Sequence, residues 1–135
     1  MSDQNSQPKT ILVIDDEMDL QEMVKFALMT QGYRIETASN GLEGLDKLKT
    51  LTPHLIILDL NMPKMGGLEF YQNICDERDQ SLYPVLVLTA RANMEELLKD
   101  FNIDGFMAKP FELDELLKEV DTILKNPEAR PKTNT

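Results

Sequence analysis

A single cysteine among 135 residues excludes an internal disulfide. The core must therefore hold by packing alone, and a reducing, cytoplasmic setting is expected. No apolar run exceeds four residues, whereas a membrane-spanning helix needs about 20. Met1 to Lys9 is polar and lacks the apolar stretch of a secretory signal. Basic residues are also scarce: 14 Lys and Arg stand against 24 Asp and Glu, for a net charge of −10. That balance disfavours direct nucleic-acid binding, which depends on clustered cations. Neither a G-x-x-x-x-G-K-[ST] loop nor a G-x-G-x-x-G turn after a strand is present, so there is no nucleotide grip. There is one histidine, His54.

What is present is ordinary for a globular chain, 41% hydrophobic and 28% charged. The length suits one domain, with residues 1–9 a flexible leader and 126–135, carrying Pro127 and Pro131, a flexible tail or linker stump. The leader is neutral and the tail +1, so the body, 10–125, carries about −11 against a total of −10. Three runs, Ile11-Leu12-Val13-Ile14, Leu55-Ile56-Ile57-Leu58 and Val85-Leu86-Val87-Leu88, are too short for helices. Their continuous apolarity predicts strands covered on both faces of a parallel sheet. Tyr33 to Thr37 alternates, as at a sheet edge, and Gly105 to Ala108 gives a fifth strand that Pro110 stops.

Helical spacing fills the intervals. Leu20, Met23, Val24, Ala27 and Leu28 fall on one helix face, with Gly32 to cap the end. Leu42, Leu45 and Leu48 mark a second helix begun by Ser39-Asn40. Leu68 to Cys75, Met94 to Phe101 and Leu113 to Leu124 give three more. The pattern is βα five times over, which means an α/β fold with a parallel sheet and right-handed crossovers.

Chemistry collects where strands end. Asp15-Asp16 follows the first strand, Asp59 the third, Thr89 the fourth and Lys109 the fifth. In a parallel sheet these positions share the carboxyl edge, where ligands bind. One acid after one strand is usually a loop starter or helix cap; four polar groups on one edge is a rarer coincidence. Two carboxylates about 5 Å apart repel by roughly 3 kcal/mol at an effective dielectric of 20. A hard divalent cation relieves this, and Mg²⁺ suits carboxylate and water ligands in an open site. Mg²⁺, a lysine and a hydroxyl together clamp phosphoryl oxygens. A phosphoryl site without a nucleotide site points to a carboxylate that itself becomes phosphorylated.

These residues carry a family resemblance. Ile11 to Glu17, Ile57 to Pro63, Val87 to Ala90 and Lys109-Pro110-Phe111 resemble, in that order and strand context, the receiver domain of two-component response regulators. The resemblance runs from about Thr10 to Leu124. It implies a doubly wound, flavodoxin-like three-layer (βα)₅ sandwich with strand order 2-1-3-4-5. It further implies that Asp59 is the phosphoacceptor, taking a phosphoryl group from a histidine kinase or histidine phosphotransfer protein. Asp15, Asp16, Asp59 and the Asn61 main-chain carbonyl would hold Mg²⁺, with Mn²⁺ a possible substitute. Lys109 would pair with Asp59 and then with the phosphoryl oxygens. Thr89 would take a phosphoryl oxygen, and Phe106 matches the aromatic switch position that follows it. The family's Lys-Pro junction implies a cis Lys109–Pro110 bond. A downstream target protein or a fused effector domain would read the signal. A free-standing receiver is the favoured expectation over a piece of a longer regulator. Catalysis would extend at most to its own phosphorylation and dephosphorylation.

The chain departs from the family pattern at Pro53-His54, where Pro-Asp is common, and at Met65-Gly66-Gly67, where Met-Asp-Gly is usual. Phe106 replaces the commoner tyrosine, and Thr89 to Lys109 is a little short. His54 and Asp59 lie at opposite ends of one strand, roughly 16 Å apart, so a phosphodonor histidine must come from another protein. The eight methionines read mainly as core fillers. Met18 and Leu20, with Pro110 and Phe111, are the candidates for partner docking. Cys75 and the acidic last helix read as structural and as a solvated face. The rival function is an aspartyl-nucleophile phosphohydrolase, but that class expects D-x-D-x-[TV] after its first strand, where this chain has Asp15-Asp16-Glu17-Met18-Asp19.

Overall fold

A computed structural model describes residues 8–60, 66–76, 81–90 and 103–125. The chain forms β1 (Thr10–Ile14), α1 (Met18–Met29), β2 (Arg34–Ala38), α2 (Gly41–Lys47), β3 (Leu55–Asp59), α3 (Gly67–Asn73), β4 (Val85–Thr89), β5 (Gly105–Ala108) and α4 (Leu113–Lys125). The anticipated helix Met94 to Phe101 and the Asn61 metal ligand lie outside the described residues, as do residues 1–7 and 126–135. All five strands are parallel, in the order 2-1-3-4-5. The fold is the expected doubly wound α/β sandwich.

Every residue of β1, β3 and β4 is buried, which explains their unbroken apolarity. Because successive side chains point to opposite faces, each run feeds two cores. Ile11, Val13, Leu55, Ile57, Leu86 and Leu88 pack with Val24 and Leu28 of α1 and with Leu116, Val120 and Ile123 of α4. Leu12, Ile14, Ile56, Leu58, Val85 and Val87 pack with Phe70 and Tyr71 of α3, and Leu45 of α2 joins them. Each such side chain contributes about 1.5–3 kcal/mol on burial, so an acid just past a strand is held by an apolar frame.

Local signals work as anticipated at several ends. Asn40 caps α2 by accepting the Glu43 amide at 2.9 Å, and the Glu43 carboxylate accepts the Ser39 amide at 2.8 Å, a variant of the capping box in which the glutamate reaches the residue before the N-cap. Gly32 follows α1 with φ +93°, a conformation that favours glycine. The Lys109–Pro110 bond is cis.

Two helix faces differ from the apolar pattern. In α1 the buried residues are Gln21, Val24 and Leu28, while Met23 is 51% exposed. The helix is turned so that an amide, not a methionine, faces the top of the sheet, where main-chain carbonyls need a donor. In α2, Leu42 is exposed and only Leu45 and Leu48 reach the core.

Candidate functional site

The carboxyl edge of the sheet gathers the residues that follow the strands. Asp15 and Asp59 are 1% and 2% exposed, and Asp16 is half-buried beside them. Carboxylate oxygens of Asp15, Asp16 and Asp59 lie within 4.8 Å of one another. The Lys109 ammonium stands 3.3 Å from Asp15 Oδ2 and 3.4 Å from Asp59 Oδ2. It also meets Glu17 Oε1 at 3.3 Å.

Main-chain bonds fix this arrangement. The Leu60 amide donates to Leu88 O at 3.0 Å, which holds the chain straight as it leaves Asp59. The Lys109 amide donates to Thr89 O at 2.8 Å, tying the end of β5 to the end of β4. Leu88 is the register partner of Asp59, so Thr89, fully buried, stands one residue beyond it on the neighbouring strand. Phe106 pairs with Val87, two residues before Thr89, so Phe106 and Thr89 share the sheet face toward α2 and α3.

Burial by itself would lower the Lys109 pKa. The charges of Asp15 and Asp59, with hydrogen bonds to Glu17 and Asp15, outweigh it and leave the ammonium raised above ordinary lysine. Lys109 is therefore a fixed cation through the physiological range.

Four carboxylates face one ammonium here, so the cluster retains excess negative charge. Its donors are hard oxygens at close mutual distance, the kind of set that takes Mg²⁺ or a similar ion. The residues present fit such a cation.

The four docking candidates also come together. Leu20, Pro110 and Phe111 line a groove of about 430 Å³ with Glu17, Met23 and Lys109. Met18 and Leu20 line an adjoining one of about 490 Å³ with Glu17, Asp19 and Met23. Phe26, 74% exposed, continues the apolar surface along α1. His54 lies at the opposite edge: its Nδ1 accepts the Thr10 amide at 3.0 Å, and its own amide donates to Thr10 O at 2.7 Å.

Three residues at the site escaped the pattern reading. Glu17 reaches Lys109 across 92 positions of sequence, a contact no local spacing reveals. Gln21 is buried among the carbonyls behind Asp15. Gly67 packs so closely that a β-carbon there would lie 2.6 Å from both Asp59 O and Leu60 Cα. The departure from the family pattern at Gly66 is thus followed by a glycine that the site requires.

Comparison with known proteins agrees with this geometry. The family profile "Response regulator receiver domain" matches residues 11–121. A curated relative, response regulator MprA of Mycobacterium sp. (strain KMS), is 36% identical over 120 residues, which are 87% of this chain and 51% of the relative. MprA of Mycobacterium avium (strain 104) is 36% identical over 117 residues, 85% of this chain and 50% of that one. Among solved structures, chemotaxis response regulator CheY4 of Vibrio cholerae is similar with TM-score 0.78 and 32% identity, over 87% of this chain and 99% of its own. TrrA of Thermotoga maritima, solved with Mg²⁺-BeF, gives TM-score 0.75 and 36% identity over 85% and 98%. The chain belongs to the response regulator receiver domain family of two-component systems. As a receiver domain it is a phosphorylation-activated switch in general character. It spans about half the length of the curated relatives it matches. Among the described residues no helix is long and apolar enough to cross a membrane.

Proposed function

We propose that this receiver takes a phosphoryl group from a partner phosphohistidine onto Asp59 and changes its partner-binding face in response. The observation that carries the reading is the convergence of Asp15, Asp16, Asp59 and Lys109 at one sheet edge. Asp15, Asp16 and Asp59, with the Asn61 carbonyl from the matched motif, would hold Mg²⁺, for which Mn²⁺ could substitute. Bound there, the ion would offset carboxylate charge and engage a phosphoryl oxygen. A relative of the same family, TrrA, has been solved with Mg²⁺-BeF.

In the transfer, an Asp59 carboxylate oxygen attacks phosphorus and the P–N bond to the donor imidazole breaks. The bonding electron pair returns to the ring nitrogen, and the imidazole leaves neutral when its other nitrogen carries a proton. The product is an acyl phosphate on Asp59. Lys109 then balances charge on the phosphoryl oxygens. The Thr89 hydroxyl donates to one of them and shifts inward, and Phe106, on the same sheet face, follows that shift.

The donor would be a histidine kinase or a histidine phosphotransfer protein, docking on Met18, Leu20, Pro110 and Phe111. A downstream target or a fused effector domain would read the activated face. The setting would be cytoplasmic.

The test is incubation with acetyl phosphate, with and without Mg²⁺. A receiver gains one hydroxylamine-labile acyl phosphate only with the metal, and thereafter consumes donor no faster than that adduct is lost. Continuous turnover of donor without a stable adduct would indicate a phosphohydrolase instead.

A further inference from the structure

A buried carboxamide stands directly behind the acidic cluster. Gln21 is 3% exposed on the sheet-facing side of α1, above Val24 and Leu28. Such a group costs about 1–3 kcal/mol if left without partners, so what it bonds is informative. Its Nε2 donates to Asp15 O at 2.8 Å and to Ala38 O at 3.1 Å. Ala38 O also accepts the Asp15 amide at 3.0 Å. Asp15 is thereby held by its N–H and by its C=O, while its carboxylate accepts the Glu17 amide at 2.9 Å and pairs with Lys109.

The held carbonyl belongs to the peptide that joins Asp15 to Asp16. That peptide is planar, so fixing its C=O places the Cα atoms of both acids and, with the Asp15 N–H also held, sets the direction in which the Asp15 side chain leaves the chain. We propose that Gln21 is a positioning residue for the divalent cation, acting through the Asp15–Asp16 peptide and not by touching the ion. The inference rests on the metal binding proposed for Asp15, Asp16 and Asp59. A neutral donor is suited to this role because it fixes the carbonyls without adding positive charge that would compete with a cation.

The test measures Mg²⁺ affinity by titration calorimetry on the folded, unphosphorylated chain, well below its melting temperature. Gln21→Met keeps size and helix propensity but removes the donor. It should weaken Mg²⁺ binding by about 10-fold, the lower end of what loss of a supporting partner costs a metal site. Gln21→Asn, a gentler change that cannot span both carbonyls, should weaken it in the same direction and serves if the methionine variant does not fold. Val24→Ala, one turn along the same buried face, is the stability control. It should lower the melting temperature and leave the affinity alone. Wild-type affinity in the Gln21 variants, or equal weakening by Val24→Ala, would overturn the positioning role. Absence of Mg²⁺ binding by the wild-type chain would overturn the metal reading itself and this inference with it.

Discussion

Lys109 reaches over the end of β4 to hold its ammonium 3.4 Å from the Asp59 carboxylate. One cation from the fifth strand thus serves acids from the first and the third, since Asp15 stands at 3.3 Å on its other side. The contact ties β1, β3 and β5 together, with β4 lying between the last two.

Removing that cation should separate binding from switching. Lys109→Ala leaves buried Asp15 and Asp59 without their ammonium, and should lower stability by about 1–3 kcal/mol in metal-free buffer. Added Mg²⁺ should recover much of that loss and bind at least as tightly as in wild type. The phosphorylation-linked change in the Phe106 environment, followed by NMR, should disappear. A full response in this variant would count against the clamp.

The pH dependence of the pair has a definite sign. The folded-state Lys109 pKa is raised, so its contribution is fully present below the ordinary lysine value of about 10.4 and is lost as pH climbs through the higher folded value. Metal-free denaturation at a series of pH values should show no wild-type minus Lys109→Ala difference in trend from pH 6 to 9. A difference appearing inside that range would contradict the assignment.

Gly67 should tolerate nothing larger. The β-carbon of Gly67→Ala would press on backbone atoms of Asp59 and Leu60, which cannot rotate aside as a side chain can. A cost of about 1–3 kcal/mol is expected, together with slower acetyl-phosphate labelling because Asp59 is displaced. Denaturant melts and labelling rates measure the two effects separately.

At the far edge the expectation is stability without chemistry. His54→Ala removes the acceptor of the Thr10 amide and should cost about 1 kcal/mol. His54→Asp should restore it, because the same geometry already occurs with a carboxylate: Asp104 Oδ1 accepts the Val85 amide at 2.9 Å, while the Asp104 amide donates to Val85 O at 2.8 Å. Labelling rates should be unchanged in both. A slower rate in His54→Ala would mean that the two ends of β3 are coupled.

Much of the fold was legible because its cues are local. Four-residue apolar runs announce strands buried on both sides, and the acid, threonine or lysine that follows a strand falls on the carboxyl edge by topology alone. The capping box at Ser39, Asn40 and Glu43 could be read in part from its first two residues. What could not be read depends on the third dimension. Met23 and Leu42 continue apolar stripes in sequence yet face outward, because the rotation of a helix on its sheet is set by tertiary partners. Gln21 shows why: its amide answers carbonyls of β1 and β2 that no periodicity reveals. Glu17 joins Lys109 by charge across the whole chain, and the need for Gly67 comes from backbone packed against backbone.

The metal ligands should separate by rank. Both Asp15 oxygens are engaged, by the Glu17 amide and by Lys109, whereas Asp16 lies at the half-buried rim. Calorimetry should therefore show Asp16→Asn weakening Mg²⁺ more than Asp15→Asn does, with Asp19→Asn close to wild type. Equal losses at all three would reduce the site to a diffuse acidic patch.

The central claim is that Asp59 receives the phosphoryl group, and transfer from a labelled phosphohistidine donor to wild type and to Asp59→Asn tests it most directly. With Mg²⁺ present, wild type should take up the label as an acyl phosphate while Asp59→Asn, folded and melting cooperatively, takes up none. Undiminished labelling of the Asp59→Asn chain would contradict the account.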